Sequence, residues 1–141
     1  MRRLVTLLAM VWLPACASAP AGRVAGAEGA EAAVRAFLAA ARANDMRGLA
    51  AVWGNAESPV RDRATADEVE RRAMIVICHL RHEQATLGLP QTGQGGRQLI
   101  PVDLTQGERT ARTTVTAVQN AKSGRWFVED VALGPVAAFC R

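Results

Sequence analysis

The residues best suited to chemistry are gathered in one run, Cys78-His79-Leu80-Arg81-His82-Glu83, which holds both histidines and one of the three cysteines of the chain. Cys78 and His82 are four apart, so on a helix they share a face and could both ligate zinc. The spacing matches neither His-Glu-x-x-His nor its inverse, nor the Cys-x-x-Cys-His of haem attachment. Adding Cys140 still leaves the set short of the four ligands of a closed site, so no metal is expected and His79 and His82 read as structural. Asp103 and Asp130 fall in strand-like segments and could act as acid or base if turned inward, although a carboxylate on a half-exposed strand is ordinarily solvated. Gly93-Gln94-Gly95-Gly96 precedes a strand, so no helix N-terminus follows to hold a phosphate, and no Gly-x-Ser-x-Gly elbow is present. No residue is singled out as catalytic and no cofactor is expected. Phe37, Trp53, Trp126 and Phe127 are the candidates to line an apolar pocket, though with aromatics at 4% of the chain the core needs the same side chains.

The start of the chain is a targeting segment: Arg2 and Arg3, an apolar run from Leu4 to Leu13, then small residues. The run is about half the roughly 20 residues of a spanning helix, which makes it a signal-peptide core. Leu13-Pro14-Ala15-Cys16 resembles the bacterial lipobox, and the resemblance implies cleavage before Cys16 and lipidation of it. The alternative is an ordinary signal peptide cut near Ala17 or Ala19, with Cys16 discarded. Residues 1–15 are thus a leader, 16–30 a flexible tether rich in Ala, Gly and Pro, and 31–141 one domain with one core. Ala17 lacks the aspartate that often retains lipoproteins at an inner membrane, so the expected location is the outer membrane, facing the periplasm.

The whole sequence carries a formal charge of +4. Loss of Arg2 and Arg3 halves it, and the remaining arginines are interleaved with acids, as in Arg61, Asp62, Arg63 and Glu70, Arg71, Arg72. That pattern is a solvated face with local pairs, and a nucleic-acid partner is not expected. Export also bears on the cysteines. With Cys16 taken for lipid, Cys78 and Cys140 are an even pair bound for an oxidising compartment, and a disulfide is the expected arithmetic. Two free thiols, or a metal pair with His82, are the competing readings. A bridge would close a loop of roughly sixty residues, contributing on the order of 4 kcal/mol in the chain-entropy account. It requires the apolar tail Val136-Ala137-Ala138-Phe139 to cross the outer face of the helix that carries Cys78.

The elements that must position these groups follow from periodicity. Ala30, Val34, Phe37, Leu38 and Ala41 make one face of a first helix, and Asp45 caps a short second helix through Leu49, Val52 and Trp53. Residues 55–63 read as a loop. Thr65 with Glu68 forms a capping box for a long central helix predicted over 65–88, with Val69, Ala73, Val76, Leu80 and Leu87 inward and Gly88 as its C-cap. After a polar, glycine-rich loop at 91–97 the period falls to two. Three strands are expected: one with Ile100, Val102 and Leu104 inward, confined to an edge or bulge by Pro101; one over 110–119; and one over 125–133, with Trp126 and Val128 on one face and Phe127, Val131 and Leu133 on the other.

This order of helices followed by a meander resembles the nuclear-transport-factor-2-like superfamily, also called cystatin-like or ketosteroid-isomerase-like. The likeness is strongest over 33–54 and in Arg125-Trp126-Phe127-Val128-Glu129-Asp130-Val131-Ala132-Leu133. It implies an α+β fold in which N-terminal helices and a long central helix pack on a curved antiparallel sheet, forming a cone with an apolar mouth. Such domains include enzymes, adaptors and exported modules, so the fold leaves function open. Ketosteroid isomerase, which the resemblance brings in, needs a tyrosine in its oxyanion hole; this chain has none. The leading expectation is a lipid-anchored, non-enzymatic module that binds a small apolar ligand or an envelope protein. The alternative is acid–base chemistry of the isomerase or dehydratase type on a small apolar ligand.

Overall fold

The computed structural model describes residues 25–141. The leader, Cys16 and most of the proposed tether lie outside the described residues. Helices α1 (Ala30–Arg42), α2 (Met46–Ala51) and α3 (Ala66–His79) pack on an open antiparallel sheet of β1 (Gln84–Leu87), β2 (Gln91–Thr92), β3 (Gln98–Gln106), β4 (Arg109–Gln119) and β5 (Trp126–Val131). The strand order is β1-β3-β4-β5, with β2 also paired to β3. The class is α+β, as the change of period predicts.

The helices start where their caps say. The Asp45 carboxylate accepts from the Gly48 N–H at 2.9 Å, and the Thr65 hydroxyl accepts from the Glu68 N–H at 3.3 Å. Asn44, at φ 55°, takes the left-handed turn that lets α1 and α2 meet across three residues. Apolar stripes then face the core: Ala33, Val34, Phe37 and Leu38 from α1, and Ala73, Val76 and Ile77 from α3, whose Val69 is turned instead toward α2. They meet Ile100, Val102, Leu104, Val115, Ala117 and Val128 from the strands, all fully buried.

α3 is shorter than the 65–88 pattern predicts. It stops at His79, where the two imidazoles serve the helix end: His79 Nδ1 donates to the Ile75 carbonyl at 2.9 Å and His82 Nδ1 to that of Leu80 at 2.7 Å. Gln84–Leu87 alternates polar and apolar, and as a strand it sets Ala85 and Leu87 opposite Leu104 and Val102. The four residues fit either period, and pairing with the buried β3 decides between them. Gly88 is not a helix cap; its N–H donates to the Pro101 carbonyl at 2.7 Å.

The sheet has five strands where the sequence pattern predicts three, because that pattern assigns β1 to the central helix and β2 to the loop after it. β3 is consequently an interior strand, and Pro101 sits within it, paired with Thr114. A residue's N–H and C=O point to the same side of a strand, so the Pro101 nitrogen faces the Gly88 side. There Gly88 donates to the Pro101 carbonyl, but proline cannot return the bond, and β1 ends at Leu87.

β5 carries a bulge. Thr116 pairs with Asp130 and Ala117 with Val128, leaving Glu129 as the extra residue. The bulge moves Val131 onto the core face with Val128, opposite Val115, so the strict alternation that groups Val131 with Phe127 fails at Glu129. Phe127, 1% exposed, lies outside the main core cluster.

The fold also begins earlier than residue 31. Ala27 exchanges both backbone hydrogen bonds with Trp126, at 2.9 and 2.8 Å, and the Gly26 N–H donates to the Ala51 carbonyl at 2.7 Å. The last part of the 16–30 segment is therefore docked on β5. At the other end the chain winds through a 3-10 stretch, Gly134–Cys140, that buries Val136 and Phe139 in the core. Cys78 and Cys140 stand at disulfide distance, Cα atoms 4.9 Å apart across a separation of 62 residues. The tail closes the core beside α3 instead of crossing its outer face, where Met74 and Ile75 are 50% and 56% exposed.

Candidate apolar cleft

Phe37 projects from α1 against Trp53, the two rings edge to face with centroids 6.1 Å apart. Trp53 is held by backbone pairing with β5: the Val128 N–H donates to the Val52 carbonyl at 2.8 Å, and the Gly54 N–H to the Val128 carbonyl at 3.0 Å. α3 adds Arg72, Ile75 and Val76, spaced three and four so that they share one face. The end of β5 and the residues after it add Val131 and Leu133. Together these enclose a half-open cleft of about 240 Å³, apolar on most of its wall. At the rim the Arg72 guanidinium hydrogen-bonds to Glu68 one turn back.

The cleft depends on the bulge. Without the extra residue at Glu129, Val131 would lie on the outer face of the sheet and one wall would be missing. The bulge residue is itself fixed from outside the strand, because Arg97 Nε and Nη2 donate to the two Glu129 carboxylate oxygens, the latter at 2.9 Å. That bidentate bond raises the Arg97 pKa further. Neither residue is marked by any motif. A lone arginine after a glycine run and a lone glutamate in a strand become a pair only through the β3-β4-β5 register.

Of the four aromatic candidates, the structure brings Phe37 and Trp53 to this cleft. Phe127 is on the opposite face of β5, since neighbouring strand residues alternate; a Cβ built on Gly54 or Gly26 would come within 3.0 Å of its ring. Trp126 lies at the other end of β5, in a surface hollow with Gly29, Pro90 and Gln98. The acid–base candidates are also elsewhere. Asp103 faces out of the sheet and takes two hydrogen bonds from Arg112, both 2.7 Å, which hold its carboxyl below the usual range. Asp130 is exposed opposite Thr116, with its chain at the cleft rim. Cys78 is engaged with Cys140 and His82 with the Leu80 carbonyl, so the two are not gathered as ligands. Among the described residues no group of three or more His, Cys, Asp or Glu is placed to hold a metal.

Comparison with known protein families, curated proteins and solved structures finds no match to this chain.

Proposed function

We propose that the protein is a lipid-anchored binding module of the cell envelope that takes a small apolar ligand in the cleft between α3 and β5, without chemistry of its own. The observation that carries this reading is the wall itself: Phe37, Trp53, Ile75, Val76, Val131 and Leu133 around about 240 Å³, open to solvent past a 56% exposed Ile75. An apolar cavity of about 150 Å³ suffices for benzene, so this one suits a ligand of one or two rings or a short branched chain. An exposed isoleucine beside the buried Phe37 and the half-buried Trp53 gives such a ligand apolar area to cover on binding, at roughly 25 cal/mol per Å² before association costs. The nuclear-transport-factor-2-like reading belongs to the proposal as well. The helix order, the bulged sheet and an apolar mouth between sheet and central helix support it. Anchoring at Cys16, outer-membrane delivery and the absence of a nucleic-acid role rest on the sequence.

Titration calorimetry with naphthalene and cyclohexanol as probes tests the site. Saturable binding is expected, with a negative heat-capacity change. Ile75→Asp should weaken it at least tenfold with little loss of stability, since that side chain is mostly exposed. Equal binding by wild type and Ile75→Asp, or no binding by either probe, refutes the assignment.

A further inference from the structure

The two edges of the sheet are finished differently. Along β5 the free edge is met by Ala27 and by Trp53, each in a backbone bridge. β1 ends the strand order on the other side, and among the described residues no strand or bridge pairs with its outer edge. The Gly88-to-Pro101 hydrogen bond sets the phase of the β1-β3 ladder. Gln84 and Thr86 therefore turn their backbone groups to β3, while Ala85 and Leu87 turn theirs to solvent. β1 itself, Gln-Ala-Thr-Leu, has neither the charge nor the proline that commonly blunts an edge.

Beside this edge runs a groove of about 490 Å³ between β1 and α1. Leu38 and Ala39 of α1 and Ala43 just after it face Ala85 and Leu87 across it, which makes its floor apolar, while Arg35 and Arg42 stand along the helix side and His82 on the side of β1. The arginines are seven residues apart, about 10 Å along one face of a helix. Arg35 is held only by an exposed contact to Glu31 at 3.8 Å, and Arg42 has no ion-pair partner among the described residues.

We propose that the β1 edge binds an extended, acidic segment of a partner protein by strand addition. The segment would exchange backbone hydrogen bonds with Ala85 and Leu87 and turn alternate side chains into the α1 groove. In an added strand, residues two apart on the groove side are separated by about 6.8 Å. A Glu-x-Val-x-Glu pattern then sets its carboxylates about 14 Å apart, within reach of the two long guanidinium side chains, with the valine on the leucine and alanine floor between them. Charge selects this occupant over a second copy of the chain, whose own β1 would bring the uncharged Gln84–Leu87 to the two arginines. The site is separate from the cleft between α3 and β5 and does not depend on it.

Fluorescence anisotropy with a labelled, capped Thr-Glu-Thr-Val-Thr-Glu-Thr peptide and the purified full chain tests the proposal, together with amide exchange resolved at Ala85 and Leu87. Saturable binding that slows exchange at these two amides is expected. Binding should weaken at least tenfold when both glutamates are lysine, when Arg35→Glu and Arg42→Glu are combined, or when the peptide backbone is N-methylated at its central residues. N-methylation leaves the protein untouched, so its effect cannot come from misfolding. Absence of binding, slowed exchange at other amides only, or equal binding of the lysine or methylated peptide overturns the proposal. Slowed exchange at Ala85 and Leu87 that grows with protein concentration in the absence of peptide also overturns it, in favour of a second copy.

Discussion

Asp103 sits directly across the β3-β4 ladder from Arg112, on the face of the sheet turned away from the helices, and that placement decides its chemistry. Two hydrogen bonds from the guanidinium favour the carboxylate form, and the pKa falls. A carboxyl whose folded pKa is depressed contributes stability above its unfolded value, about 4. The contribution disappears as pH falls through the folded pKa. Asp103→Asn should therefore lower the urea midpoint slightly at pH 7 and leave it equal to wild type near pH 2, because the pair is exposed and screened. A difference that persists at pH 2 would mean the substitution acts through packing. The sequence places Asp103 in a strand but not on a face, since facing depends on which strands flank it. Phe37 is recoverable from residue type and helix phase, whereas Trp53 lies beyond the end of α2 at Ala51 and is placed by its bridge to β5, and Arg97 and Glu129 carry no signal until the register joins them.

At the scale of elements, what local chemistry dictates was legible and what long-range pairing dictates was not. Caps at Asp45 and Thr65 and the stripe through Val69, Ala73 and Val76 mark helix starts and faces from neighbours in sequence. Gln84–Leu87 is a strand only because β3 lies beside it, and the Glu129 bulge exists only relative to β4. The docked N-terminal segment is of the same kind, since its Ala and Gly composition reads as tether until β5 is present to pair with it. Gly26 is its critical residue: φ is +80°, and a Cβ there would lie 2.8 Å from both Arg125 Cβ and the Phe127 ring. Gly26→Ala should cost about 1–3 kcal/mol from the backbone conformation alone, with the contact adding to it, and thermal melting would register the loss. The tail depends on a covalent element. Val136 and Phe139 are buried, and Cys140 follows them at disulfide distance from Cys78. Cys78→Ser or Cys140→Ser should destabilise by about 2–4 kcal/mol if the bridge is closed in the native protein. Thiol counting under denaturing conditions should then find neither cysteine free, and two free thiols with unchanged melting would show that the bond does not form.

For the whole molecule, the docked segment would alter the geometry of the proposed anchoring. With Gly26 and Ala27 fixed to the sheet, the connection from a lipid on Cys16 to the fold would be about nine residues, and a chain of that length spans at most about 30 Å fully extended. A freely jointed tether to residue 30 would have let the domain turn either sheet edge to the bilayer. The shorter one ties it near the end of β5 that carries Trp126, since Ala27 pairs there. The β1 edge belongs to the other side of the sheet, separated from β5 by β3 and β4. Lipid attachment at Cys16 would then orient the domain, with the covered edge toward the membrane and the uncovered edge toward the periplasm. Two measurements carry the prediction. Mass spectrometry of the mature N-terminus should find a diacylglyceryl-modified Cys16, and Cys16→Ser should leave the membrane fraction. Limited proteolysis of the membrane-bound form should be slower near Ala25 than in the released Cys16→Ser form, with equal cutting near Leu89, which is 87% exposed beyond β1. An unmodified N-terminus beyond Cys16 would remove the anchor, and equal protection at both places would keep the anchor while removing the orientation.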